Sequence, residues 1–303
     1  MGSTGVKHRL SFGEMLFNIF NYTILILFTL LCIFPFYYLI INSISANDLS
    51  ARGEILFFPR QLHISNYVQV FRIPGLMRAA FISLSRTVLG TLFTVLAAAF
   101  LGFLFTKPMW GRKVWYRLLI ASMYFNAGLI PYFVTVMRYG LMNSFWVYII
   151  PLVVQPFSVL LVKTFIESTP ISLQEAAEID GAGTLRIFHM IMLPLIKPIL
   201  ATVAIFAAVG QWNQFMDTVL FITEQDLWTL QFVLFNYLSQ AGFLARLVQA
   251  GMGNIDVASL VNMQTPTSVR MTVTIVVTLP ILFVYPFFQK YFVKGMMIGA
   301  VKG

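Results

Sequence analysis

Apolar runs long enough to be helices in lipid dominate the chain, falling at about 20 to 41, 81 to 105, 115 to 137, 145 to 167, 195 to 221 and 271 to 292. A helix needs roughly 20 apolar residues to cross a hydrocarbon core of about 30 Å. The pattern therefore predicts an all-α membrane protein with six transmembrane helices. Residues 1–19 form a short N-terminal segment with Lys7 and Arg9, and 20–303 form one transmembrane domain. No small-residue cleavage site follows the first run, so it reads as a retained span rather than a signal peptide.

Six spans place both termini on one side. With the N-terminus inside, 12 of the basic residues fall in inner segments and 8 in outer ones. Every lysine is inside, and the outer set, Arg86 among it, is all arginine. Cytoplasmic loops are enriched in Lys and Arg, and the short connection from Lys107 to Arg117 holds four positive charges. Both termini are thus expected in the cytoplasm. Two outer connections, about 42 to 80 and about 222 to 270, are long enough to be folded or functional.

Composition agrees with the pattern: 59% of residues are hydrophobic, 10% are charged, and the mean hydropathy is +0.83. A soluble domain carries about 25% charged residues, so no large soluble domain fits. The net charge of +9 lies along loops flanking spans, which speaks for topology rather than nucleic acid. The single cysteine, Cys32, excludes an intramolecular disulfide and reads as a buried small hydrophobe. His8, His63 and His189 are dispersed, and no metal-binding spacing occurs. Neither a metal site nor an enzyme is expected.

The most informative segment lies between the fourth and fifth runs, from Thr169 to Pro194. Pro170 suits an early helix position and Ser172 a cap. A short, acidic, alanine-rich helix follows and stops at Gly181 and Gly183, where positive φ is cheap. A second amphipathic stretch from about Thr184 leads into Pro194. The spacing predicts a stiff helix, turn and helix on the inner membrane surface.

Glu175-Ala176-Ala177, three residues, Gly181, nine residues and then Ile191-x-Leu193-Pro194 resemble the EAA loop of ABC importer permeases. Gly210-Gln211-Trp212-Asn213-Gln214-Phe215 is similar to the Trp-Asn-x-Phe pattern of carbohydrate importers typified by the smaller permease of the maltose system. The tail from Tyr285 to Gly295 is like the ending of that group. Within it, the likeness is greatest to permeases for complex and uronate-rich oligosaccharides, including alginate.

The resemblance implies a type I importer fold and a coupling helix in the loop 169–194, seated in a cleft of a separate ATPase subunit. Glu175 would then pair with a basic group there, Ala176 and Ala177 would allow close approach, and Gly181 would form the turn. Asp180, Ile191, Leu193 and Pro194 complete the motif. The implied partners are a second, unlike permease subunit, two copies of the ATPase, an extracytoplasmic solute-binding protein and the lipid bilayer of the bacterial inner membrane. The cargo implied is a carbohydrate, an oligosaccharide, with acidic chains such as alginate included.

The chain has no G-x-x-x-x-G-K-[ST] phosphate cradle, so ATP and Mg belong to the partner ATPase and no cofactor is expected here. The rival reading is an ion-coupled secondary carrier or channel. Such carriers place acids within the membrane, and only Asp217 falls inside a run, near its outer end. Polar residues within runs, Asn126, Gln155, Gln211 and Asn213 with Trp212, suit sugar hydroxyls and pyranose faces and are candidates for the translocation path; interhelical hydrogen bonding is their plainer use. Pro35, Pro131, Pro151, Pro156, Pro280 and Pro286 read as fixed kinks.

Overall fold

The computed structural model describes residues 11–125, 127–249, 270–280 and 282. Residues 1–10, Asn126, the later part of the second long connection (250–269), the far half of the sixth run and the tail lie outside them. The described residues are helical throughout, without a strand, and the chain divides into two compact units.

One unit comprises 1–70 with 256–275. Its main element, α1 (Phe12–Ser43), is a 32-residue apolar helix that buries only Ile41, Asn42 and Ser43. Cys32 is accordingly exposed, not buried, because a helix facing lipid has no need to cover its apolar side chains. Thr23 and Thr29 return their hydroxyls to the carbonyls of Ile19 and Leu25 at 2.8 and 2.7 Å, which removes unpaired donors from an apolar surface.

The first long connection folds around the end of α1. The Asn42 amide donates to the carbonyls of Tyr38 (2.9 Å) and Ile55 (3.3 Å), and its oxygen accepts from Ser50 on α2 (Asn47–Ala51) at 2.8 Å. Asn66, on α3 (Ser65–Phe71), donates to the Ser43 carbonyl at 3.0 Å. Buried amides with partners rigidify what they join, so this loop is a folded cap.

The other unit comprises 71–255 with 276–303 and is organised on α4 (Leu76–Leu104, 29 residues). Arg86, Gly90, Thr94, Ala98 and Gly102 recur every fourth residue and are all buried. A stripe of small residues lets helices approach closely. A Cβ on Gly102 would lie 2.8 Å from Val162 Cγ1, and one on Gly90 would lie 2.5 Å from Gln211 Nε2. These contacts seat α7 (Pro156–Glu167) and α11 (Lys197–Asn213) against α4. The core there is built from Ala98, Phe103, Val162, Ile166, Phe188, Met192 and Val203.

The remaining runs are broken rather than continuous. The third becomes α5 (Arg112–Tyr124) and α6 (Leu129–Arg138), separated near Gly128 at φ 88°. The fourth is two 3-10 turns, Phe145–Tyr148 and Ile150–Leu152, bent 45° from α7. Among the described residues two helices, α1 and α4, are long and apolar enough to cross a membrane, or up to four spans if each bent pair counts as one.

Of the expected proline kinks, Pro35 sits well inside α1, Pro131 is the third residue of α6, Pro280 ends the described helix Arg270–Pro280, and Pro286 lies outside the described residues. Pro156 opens α7 and Pro151 opens a 3-10 turn, where a missing N–H costs nothing. The second long connection, expected to be folded or functional, contains α13 (Leu230–Gln249), a 20-residue helix.

Close approach at Gly102 makes a direct prediction. Gly102→Leu should destabilise the chain by about 1–3 kcal/mol, seen as a lower melting temperature in detergent. Gly13→Leu, where an added Cβ has open space, should leave the melting temperature unchanged.

Candidate functional site

The loop predicted to be distinctive folds as α8 (Ser172–Ile179), a turn, and α9 (Thr184–Ile187) continuing through a π turn at Phe188–Met192 into α10 (Leu193–Leu195). Ser172 is the first helical residue rather than the cap: Ile171 precedes the helix, and Ser172 makes no capping bond. Gly181 has φ 78°, where any side chain is strained, whereas Gly183 has φ −69° and needs no glycine on that account.

The loop has two distinct sides. Ala177, Ile187, Phe188 and Met192 enter the core, with Phe188 packed on Phe103 at 5.2 Å between centroids. Glu178 pairs with Lys107 at 2.7 Å. On the other side Glu175, Ala176, Asp180 and Pro194 are exposed, and the Glu175 carboxylate has no partner among the described residues. Ile179 is 85% exposed, and Ile171 and Leu185 are similarly open. Ile191 and Leu193 are half-buried behind them. A cleft of about 380 Å³ opens beside α8, with Glu167, Glu175, Glu178 and Gln174 in its wall. An acid rimmed by exposed apolar side chains and rooted in a core is chemically suited to receive a protein partner.

After α10 the chain turns by 77° into α11, and α11 ends at Asn213 before α12 (Met216–Phe221) begins. This break frees carbonyls inside an apolar region, and Arg86 meets them. Its Nη1 donates to the Gln214 carbonyl at 2.8 Å, its Nε to Gln211 Oε1 at 3.0 Å, and its Nη2 to Asp217 at 2.9 Å. Its guanidinium also lies 4.5 Å from the Tyr148 ring centroid. Tyr148 shares a hydrogen bond with Thr218 at 3.0 Å and donates to the Leu227 carbonyl at 2.7 Å. Arg86 is 1% exposed and Asp217 4%. Arg86 is thus no outer-loop arginine as its sign count assumed; the charge that looked topological closes a broken helix.

The residues expected in the path are dispersed by this arrangement. Gln211 is buried on Arg86, and Trp212 donates its indole N–H to the Val277 carbonyl of α14 (Arg270–Pro280) at 3.1 Å. Asn213 is exposed, accepting at 3.3 Å from Gln231. Gln155 is half-buried at the start of α7. Arg86 and Tyr148 were not singled out in the sequence. The signal for Arg86 was present, since it shares the four-residue stripe with Gly90, Thr94, Ala98 and Gly102, and Asp217 is the one acid inside a run apart from Glu167 at the very end of the fourth.

Residues 90–298 match the family described as binding-protein-dependent transport system inner membrane component. Protein LplC of Bacillus subtilis is 36% identical over 278 residues, covering 89% of this chain and 90% of that one. The polygalacturonan/rhamnogalacturonan transport system permease protein YtcP of the same organism is 32% identical over 289 residues, covering 95% and 99%. The crystal structure of a bacterial ABC transporter involved in the import of the acidic polysaccharide alginate superposes with a TM-score of 0.81 at 26% identity, covering 94% of this chain and 99% of that chain. With its family match, the chain belongs to the binding-protein-dependent transport system inner membrane components. It is a type I permease subunit of a bacterial ABC importer, a membrane component and not itself an enzyme.

The Arg86 cluster yields a stability prediction. Breaking a buried ion pair from one side costs about 3–5 kcal/mol, because the other charge is left unpaired. Arg86→Met should therefore lower the melting temperature in detergent sharply, and Arg86→Met with Asp217→Leu should recover a large part of the loss.

Proposed function

We propose that this chain is a six-span permease with both termini in the cytoplasm and that loop 169–194 is its coupling element, docking through Glu175 into a cleft of an ATPase subunit. The observation that carries the reading is the exposed, unpartnered Glu175 among Ile171, Ile179 and Leu185, on a loop whose opposite side is fixed in the core. Ala176 and Asp180 lie on the docking side, Gly181 makes the turn, and Ile191, Leu193 and Pro194 carry the loop back to the membrane. One such chain pairs with a second, unlike permease subunit, two ATPase copies and a solute-binding protein.

The cargo in this proposal is an oligosaccharide, with uronate-rich chains first among the candidates. Support comes from the pectin-type and alginate transporters that this chain resembles. The path runs beside the break after α11, where Asn213 is exposed, with Gln211 and Trp212 shaping the break from behind and Gln155 and Asn126 as further lining. Asp217, the one acid expected in a run, is neutralised by Arg86, which leaves the rival ion-coupled carrier without that residue as a coupling site.

The test is to purify the chain with its subunits in mild detergent and assay ATP hydrolysis with alginate oligomers, oligogalacturonates and neutral arabino-oligosaccharides. Stimulation by one of these, lost by at least about tenfold in Glu175→Lys and Gly181→Pro while membrane insertion persists, is the expected result. Normal stimulation in both variants defeats the coupling assignment. Nucleotide-independent transport by the chain alone in liposomes gives the case to the carrier.

A further inference from the structure

Lys107 sits on the turn that closes α4, its N–H donating to the Leu104 carbonyl at 3.0 Å, and its ammonium reaches Glu178 on α8 at 2.7 Å. Its side chain is only 17% exposed and lies 5.6 Å from the Phe103 ring centroid. The same turn of α4 presents Phe103 to Phe188, downstream of the loop's Gly181 turn. The end of α4 therefore grips the loop on both sides of that turn. The Phe103–Phe188 and Ala177 contacts are apolar and have little directional preference. A charge-assisted hydrogen bond does have direction, and Lys107–Glu178 is such a bond between the end of α4 and α8.

From this geometry we propose that Lys107 is a positioning residue for coupling: it holds α8 in register on the end of α4, so that displacement of α8 by the ATPase is delivered to α4. That helix leads back from Lys107 to Arg86 over about 30 Å at 1.5 Å per residue, and Arg86 holds the break after α11. The inference rests on the coupling assignment of α8 made above. Glu178 is 54% exposed, so the pair adds little to stability and its variants should fold.

The test places a spin label at Ile179→Cys with Cys32→Ser, in the complete transporter, and reads label mobility together with ATPase stimulation by whichever sugar stimulates the unaltered complex. Lys107→Glu and Glu178→Lys should each mobilise the label and lower stimulation by about fivefold or more. The charge swap Lys107→Glu with Glu178→Lys should restore both, and Lys107→Arg should keep both. Unchanged mobility in the single variants, or a swap no better than they are, overturns the proposal. Glu175→Lys separates the two claims: if it abolishes stimulation while Lys107→Glu does not, only the Lys107 role fails, and if it too is silent, the coupling assignment fails.

Discussion

A guanidinium inside an apolar helical region must be neutralised and hydrogen-bonded, since an isolated buried charge costs several kcal/mol. Arg86 meets that requirement through Asp217, Gln211, the Gln214 carbonyl and the face of Tyr148. In doing so it gathers α4, the end of α11, the start of α12 and the 3-10 turn that carries Tyr148. Ending α11 at Asn213 exposes backbone carbonyls, and broken helices are tolerated at membrane depth only where protein re-satisfies them. Gly90 belongs to the same constraint, because a side chain there would occupy the position of the Gln211 amide.

The far end of α4 makes a different kind of contact. Around Phe103 and Lys107 the contacts are to the loop 169–194, half apolar core and half surface ion pair. Gly102, pressed on Val162, keeps α7 along the same helix. One uninterrupted helix thus joins a surface loop fit to receive a partner with a buried polar cluster at a helix break. Under the proposed coupling, α4 is the element that links the loop to the break.

The helical class, the first two spans and the loop were legible in the sequence because each depends on local pattern: sustained apolarity in 12–43 and 76–104, and fixed spacing from Glu175 to Pro194. The breaks were not. In the apolar run from 115 to 137 the interruption is marked only by Asn126, Gly128 and Pro131, which a hydropathy window averages over, and hydropathy is blind to bends such as the 77° turn at Ile196. Arg86 was misplaced because sorting charges by loop assumes that charges avoid spans, and pairing with an acid 131 residues away is a tertiary fact. Ser172 was taken as a cap from its residue type, but the turn begins one residue earlier. Gln211 and Trp212 were candidates for the path with interhelical hydrogen bonding as their plainer use, and the structure hydrogen-bonds Gln211 Oε1 to Arg86 and the Trp212 indole to the Val277 carbonyl.

The measurement that bears most directly on the account is photo-crosslinking from α8 in the intact membrane. A benzophenone at Ile179→Cys, in a Cys32→Ser background, projects from the most exposed apolar side chain of that helix. The account predicts a nucleotide-sensitive crosslink to an ATPase subunit; labelling confined to lipid, or to a protein on the outer face, would contradict it.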